Sequence, residues 1–460
     1  LNLALTAQGK AVPGGRAENT AQAGSLTADL KAQTASLDGL ALSAYGVQVH
    51  GAAQAAKLLD SPEARGVLEI PAFDLKKTLA ALGQTAPETA DPAALTRVAA
   101  RAEVSYSPAA VKADNVHLDL DGQGVDLSAA ATGLSGGGVP AYRFAARAES
   151  LDLDPYLSPK KAEAEKAAEP ARTKTDDAQA AQSSSALAET LRKLELDGSV
   201  KLGRLKVSGA ELTDVDVTVT AHGGVLTVEP LDLKLFGGSL DAAYRMDARP
   251  AQPASSLSLD LGGLQVGQAM QAFLGKAYIT GLFRLATTEP LTFSGLDSKA
   301  ILGTLGGKFN LGAENGSLPA GGTAAKILEV ASTVLLTTGT ITRGAETLAF
   351  DTLQATGDIR NGVLHNGLML LKSPALWAQG GGDIDLAAKT LDYLVGAKLV
   401  SNPDPKQTYD QVQAPEVEVA VNGALSEPSI KTNLLKSVGK VVTGAVGGIV
   451  KGAGQGAGGA

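Results

Sequence analysis

The sequence predicts a mainly β protein with short helices, its elongated antiparallel sheets curled into an open hydrophobic trough. Three observations carry the β class, and the trough is one of the covers its greasy face can take. Between Leu194 and Gly262 apolar and polar residues alternate strand after strand, with little between them but turns. Successive strand side chains point to opposite faces, so this pattern builds a sheet with one greasy and one wet face. The 460 residues include 54 Gly, as a chain of many tight turns requires. Aromatic content is only 4%, so apolar burial falls to Leu, Val, Ile and Ala.

Residues 1–157 form an N-terminal β-rich region with short helices. Leu37–Val49 and Gly66–Ile70 read as strands. Phe73–Leu82 reads as a helix, with Leu75, Leu79 and Leu82 on one face. Asp91-Pro92 reads as a second helix start, with Leu95, Val98 and Ala102 as its apolar face. Strands resume at Val116–Leu120 and Tyr142–Leu153. Residues 158–185 are Ala, Lys, Glu, Gln and Ser without a large apolar residue, the composition of a disordered linker.

Residues 186–430 hold a second β domain. Val215, Val217 and Val219 alternate with Asp216, Thr218 and Thr220, and Val225–Val228 follows a His222-Gly223-Gly224 turn. Leu231, Leu233 and Leu235 alternate with Asp232 and Lys234, then Leu257, Leu259 and Leu261 with Ser258 and Asp260. Helical spacing appears at Gln265–Leu274, Asp297–Leu305 and Gly322–Leu336. Strands return at Phe350–Ile359, Val363–Leu371, Ala375–Leu386, Leu391–Val400 and Val417–Val421, where Val417, Val419 and Val421 share a face. Pro405 and Pro415 bracket a loop. Residues 431–460 are a Gly/Ala-rich tail with the spacing of a weak amphipathic helix, read either as a frayed end or as a contact with an anionic membrane surface.

Composition excludes several functions. Net charge is −8 and no basic block interleaves with aromatics, so nucleic acid is not an expected partner. There is no Cys, hence no disulfide, thiolate chemistry or Cys-zinc site. His50, His117, His222 and His365 lack metal-ligand spacing on a helix and read as structural or solvated. Asp119/Asp121 and Asp383/Asp385 look like ordinary wet strand faces. Neither a nucleophile elbow nor a phosphate-binding Gly-Lys-Ser/Thr loop occurs, so neither an enzyme nor a cofactor is expected. The most apolar run, Val441–Val450, is shorter than the roughly 18 residues a membrane helix needs. The chain opens on Leu1 and alternates from there, so any leader or anchor is expected upstream.

The greasy face needs a cover. A second sheet would make a sandwich. The bilayer would make a barrel, but one Trp, eight Tyr and eight Phe scattered along the chain do not form aromatic girdles. A trough holding acyl chains is the third cover, because each CH₂ taken from water is worth about 0.8 kcal/mol. A Leu/Val-lined path with few rings to block it suits such chains.

An ordered series of motifs carries a family likeness. Leu205–Val215, Gly224-Val225-Leu226, Pro230-Leu231 and Phe236–Leu240 look like the C-terminal region of AsmA family proteins. Phe73–Gly83, Leu151–Leu157, Gly381–Leu386, Leu391–Tyr393 and Gly423–Ile430 resemble further segments of that family, in order. The resemblance implies a periplasmic body anchored in the inner membrane of a Gram-negative envelope by an upstream helix absent from this chain. It implies phospholipids as ligands, a hydrophobic groove of the bridge-like lipid transfer type shared with TamB-like proteins, and an outer-membrane or envelope protein partner. No catalytic residue comes with it. The expected groove lining is Val215, Val217, Val219, Leu231, Leu233, Leu235, Leu257, Leu259, Leu261, Val417, Val419 and Val421. The alternative is that these residues pack in a closed core, within a scaffold that assists outer-membrane protein assembly or targeting.

Overall fold

A computed structural model describes residues 2–8, 16–158, 187–274, 277, 279–319, 347–400, 403–404, 406–414, 416–425 and 428–432. The expected linker, the expected helix at Gly322–Leu336, Pro405, Pro415 and all but the first residues of the tail lie outside them. The chain divides into two compact units: Leu1–Leu235 with Asp241–Pro253, and Phe236–Leu240 with Ala254–Ala460. Among the described residues no helix is long and apolar enough to cross a membrane.

The first unit is one continuous ladder. Its strands are β1 (Asn2–Gln8), β2 (Arg16–Gln22), β3 (Ser25–Asp29), β4 (Thr34–Ala44), β5 (Val47–Ala56), β6 (Glu63–Phe73), β7 (Val98–Ser107), β8 (Ala110–Leu120) and β9 (Gln123–Thr132). Then come β10 (Ala141–Asp152), β11 (Glu195–Val207), β12 (Ala210–His222) and β13 (Val225–Leu235). Neighbours in sequence pair antiparallel, except that β2 and β3 share one edge of β4. The single strand expected at 37–49 is instead the β4–β5 hairpin, because Tyr45 and Gly46 both take positive φ and turn the chain.

One pairing departs from the antiparallel expectation. β10 and β11 run parallel, Ala141 beside Glu195 and Asp152 beside Lys206. A hairpin turn cannot join parallel strands. The chain must return the length of β10, roughly 40 Å at about 3.3 Å per residue.

Helix α1 (Leu75–Ala81) forms where helical spacing predicts it, with the Asp74 carboxylate accepting from Lys77 N at 3.0 Å. The second predicted helix, from Asp91, is absent. Asp91 accepts from Ala93 N at 2.8 Å and closes a turn. The Asp121 carboxylate then takes Leu95 N at 2.6 Å and Arg97 N at 2.9 Å. Leu95 sits at φ 64°, and Val98 pairs with Phe73 and Leu120 at the start of β7. An Asp followed by Pro caps helices and closes turns alike, and here the sheet captured the apolar residues. A short helix α2 (187–193) buries Ala188 and Leu191 before β11.

β14 (Gly238–Asp247) is divided between the units. The second unit continues with β15 (Ala254–Gln265), α3 (Val266–Leu274), β16 (Thr280–Ser294), α4 (Ser298–Thr304), β17 (Gly306–Pro319) and β18 (Thr347–Arg360). It ends with β19 (Val363–Lys372), β20 (Leu376–Asp385), β21 (Thr390–Leu399), β22 (Glu416–Ala424) and β23 (Ser429–Thr432). From β15 onward each strand pairs antiparallel with the next. Helices α3 and α4 fall where helical spacing predicts them, α4 capped by Asp297 accepting from Ala300 N at 2.9 Å. Every described strand belongs to a ladder, so each unit is mainly β, and no second sheet occurs among the described residues.

Candidate functional site

Register partners on adjacent strands place their side chains on the same face. Read across the first unit, the partners form an apolar row through ten strands: Leu37, Ala53, Gly66, Val104, Ala113, Ala129, Phe144, Gly198, Val219 and Val228. Nine strand spacings of about 4.8 Å make this roughly 43 Å long. A parallel row ends in Val116, Leu127, Ala146, Val200, Val217 and Leu231. These side chains are largely half-buried, and Phe144 is 36% exposed. A sandwich core would seal them.

The opposite face carries charge. Partners across nine strands are His50, Glu69, Arg101, His117, Asp126, Arg147, Lys201, Asp216 and Asp232. His117 Nδ1 lies 2.8 Å from Asp126, and Lys201 Nζ donates to Asp216 at 2.6 Å. At the strand ends the His222 ring sits between Glu195 (2.8 Å) and Asp197 (2.9 Å). Those two hydrogen bonds, Glu195 first, hold the His222 pKa above its ordinary value. Glu195 is held below its own, first by Gly223 N and then by His222. The sequence places His222 in a turn and reads it as structural or solvated. Glu195 and Asp197 lie 25 or more positions upstream, so only the hairpin brings them to it.

The second unit repeats the apolar design over eight strands. One row is Leu261, Leu285, Leu311, Ala355, Met369, Gly380, Val395 and Val419. The next runs from Leu264 through Phe283, Ala313, Leu353, Leu371, Ala378 and Ala397 to Val417. Toward β22 this face is closed: Leu376, Ala397, Val417, Val419 and Val421 form a cluster at most 2% exposed. Tyr393 packs against it, and burial pushes its hydroxyl pKa up to about 12.

The other face of this unit holds a clamp that sequence reading missed. Lys372, Trp377, Lys398 and Glu416 are successive partners across β19–β22. Lys398, only 7% exposed, donates to Tyr409 O at 2.9 Å and Val412 O at 3.3 Å, and lies 4.3 Å from the Tyr409 ring centroid. Lys372 donates to Gln407 O at 2.9 Å and lies over Trp377. The strap at 406–414 is thereby pinned to the sheet.

The twelve expected lining residues divide by exposure. Val217, Val219, Leu231, Leu233, Leu235, Leu257, Leu259 and Leu261 are half-buried. Val215 (7% exposed), Val417, Val419 and Val421 are enclosed by protein. Among the described residues no group of three or more metal-ligand side chains comes together. The AsmA family model matches residues 136–368, about half of the chain. No curated protein and no solved structure matches it.

Proposed function

Because this chain belongs to the AsmA family, whose envelope and lipid-transport associations fit such a surface, we propose that it binds phospholipid acyl chains along the greasy face of its ladders. In that reading it supports lipid movement between the inner and outer membranes, as a periplasmic body held to the inner membrane by a helix upstream of this sequence. It carries out no chemistry of its own. The observation that supports the reading most is the unbroken apolar row of the first unit, half-exposed and without a covering sheet among the described residues. An acyl chain laid along it removes apolar area from water on both partners, at about 25 cal/mol per Å². The charged row behind it keeps the opposite face wet and sets which side a lipid takes.

Native mass spectrometry of the purified chain tests this. Co-purifying phospholipid in defined stoichiometry is the expected result, and Val217→Asp should stay folded while losing it. A folded, lipid-free wild type would leave the scaffold reading, in which the sheet supports outer-membrane protein assembly. The sealed Val417–Val421 cluster favours that second reading for the end of the second unit.

A further inference from the structure

A cavity of about 760 Å³ opens where β4, β6 and β8 begin and β5 and β7 end. Both faces of the sheet contribute to its lining. Ala35, Ala55, Ala64 and Tyr106 are successive register partners on the greasy side, and Tyr106 is 49% exposed. Gln54, Arg65, Ser105 and Lys112 are successive partners on the wet side.

The acids and bases in this lining are not in the same condition. Glu63 is paired with Lys57 at 2.6 Å. Asp29 accepts from Lys31 N and Ala32 N, both at 2.9 Å. Arg65 makes one long contact, to Gln54 at 3.5 Å. The Lys112 side chain makes no hydrogen bond or ion pair among the described residues. The carboxylates are therefore occupied and the cations available. Arg65 and Lys112 stand two strands apart through Ser105, roughly 10 Å between backbones. Their long side chains can close on one anion between them, and the guanidinium fork matches a phosphate bidentately.

We propose that this rim cavity takes the phosphate headgroup of a glycerophospholipid whose acyl chains run onto the adjoining greasy rows. The inference rests on the acyl-binding reading above and assigns it an end. Tyr106 and the alanines accept the start of the chains, and Arg65 and Lys112 neutralise the phosphate. A phosphate is too strongly hydrated to follow the chains along the apolar rows, so a rim with available cations is where the headgroup can stay.

The test compares phosphatidylglycerol with diacylglycerol of identical acyl chains, delivered from cyclodextrin to the full chain and read by native mass spectrometry. Glycerol 3-phosphate is the soluble arm. Wild type should bind the phospholipid at least about ten-fold better than diacylglycerol. Arg65→Glu/Lys112→Glu should lose that preference and keep diacylglycerol binding, while Arg65→Lys/Lys112→Arg retains most of it. Both residues are exposed, and circular dichroism checks that the variants stay folded. An unchanged preference in the charge-reversed variant would overturn the proposal. Glycerol 3-phosphate binding as tightly as the phospholipid would overturn its lipid part. Wild type binding neither lipid would sink the acyl-binding reading itself, an outcome distinct from the other two.

Discussion

Gly198 shows how few aromatics this chain needs. A Cβ there would lie 2.3 Å from the Phe144 ring and 2.9 Å from Val219 Cγ1. The ring occupies the space a side chain would take, and Phe309 over Gly357 and Phe350 over Gly316 repeat the pairing. Aromatic-over-glycine pairs cover backbone that a sheet glycine leaves bare. Gly198→Val should therefore cost about 1–3 kcal/mol by forcing Phe144 off its place, read as a lower urea midpoint with an unchanged m-value. His222 is a second residue with a defined consequence. Its pKa is raised by Glu195 and Asp197, so its two bonds stabilise the first unit fully below its ordinary value of 6.5. That stabilisation is lost as pH rises through the higher folded value. Glu195 and Asp197 are lowered, and their contribution is present above 4.5 and 3.8 and lost as pH falls through the folded values. NMR titration should place His222 above 6.5, and Glu195→Gln with Asp197→Asn should bring it back. A His222 midpoint at or below 6.5 in the wild type would contradict the geometry.

At the scale of elements, strands and capped helices were legible, and partners distant in sequence were not. Helices α1 and α4 were legible from their helical spacing, and the structure adds the caps, Asp74 and Asp297, each acting on backbone three residues away. Asp91 offered the same signal and made a turn, because Asp121 and the β6–β7–β8 pairing claimed Leu95 through Val98. The parallel β10–β11 pairing was hidden for the same reason: nothing local in Ala141–Asp152 says which strand comes alongside. The strap over β19–β22 is a third such case. Lys398 lies within the stretch Leu391–Val400 that reads simply as a strand, and it is buried against two carbonyls of the strap. Lys398→Met should cost about 1.5–3 kcal/mol, the worth of charge-assisted hydrogen bonds. It should also open residues 406–414 to limited proteolysis before the rest of the second unit unfolds. Equal resistance of variant and wild type would show that the strap is held by something else.

At the scale of the whole molecule, the same substitution should have opposite consequences at two valines of the same pattern. Val417 is fully enclosed, so Val417→Asp buries an unpaired carboxylate and should cost several kcal/mol, unfolding the second unit. Val217 is half-buried on an uncovered row, so Val217→Asp should leave the fold intact and affect what the face binds. Thermal unfolding of both variants side by side checks this, and similar losses at the two sites would mean that the first unit's face is sealed as well. By itself the sequence determined that the chain is a β ladder, where most strands lie, which residues of each strand are greasy, and that the family is AsmA. Period-two alternation is written residue by residue, so it survives without knowledge of neighbours. Only the tertiary structure decided which greasy residues are enclosed and which are half-exposed, that Glu195 and Asp197 meet at His222, and that Arg65 and Lys112 line one cavity with Tyr106. Register and burial are set by which strands lie side by side, and alternation within one strand carries no record of its neighbours.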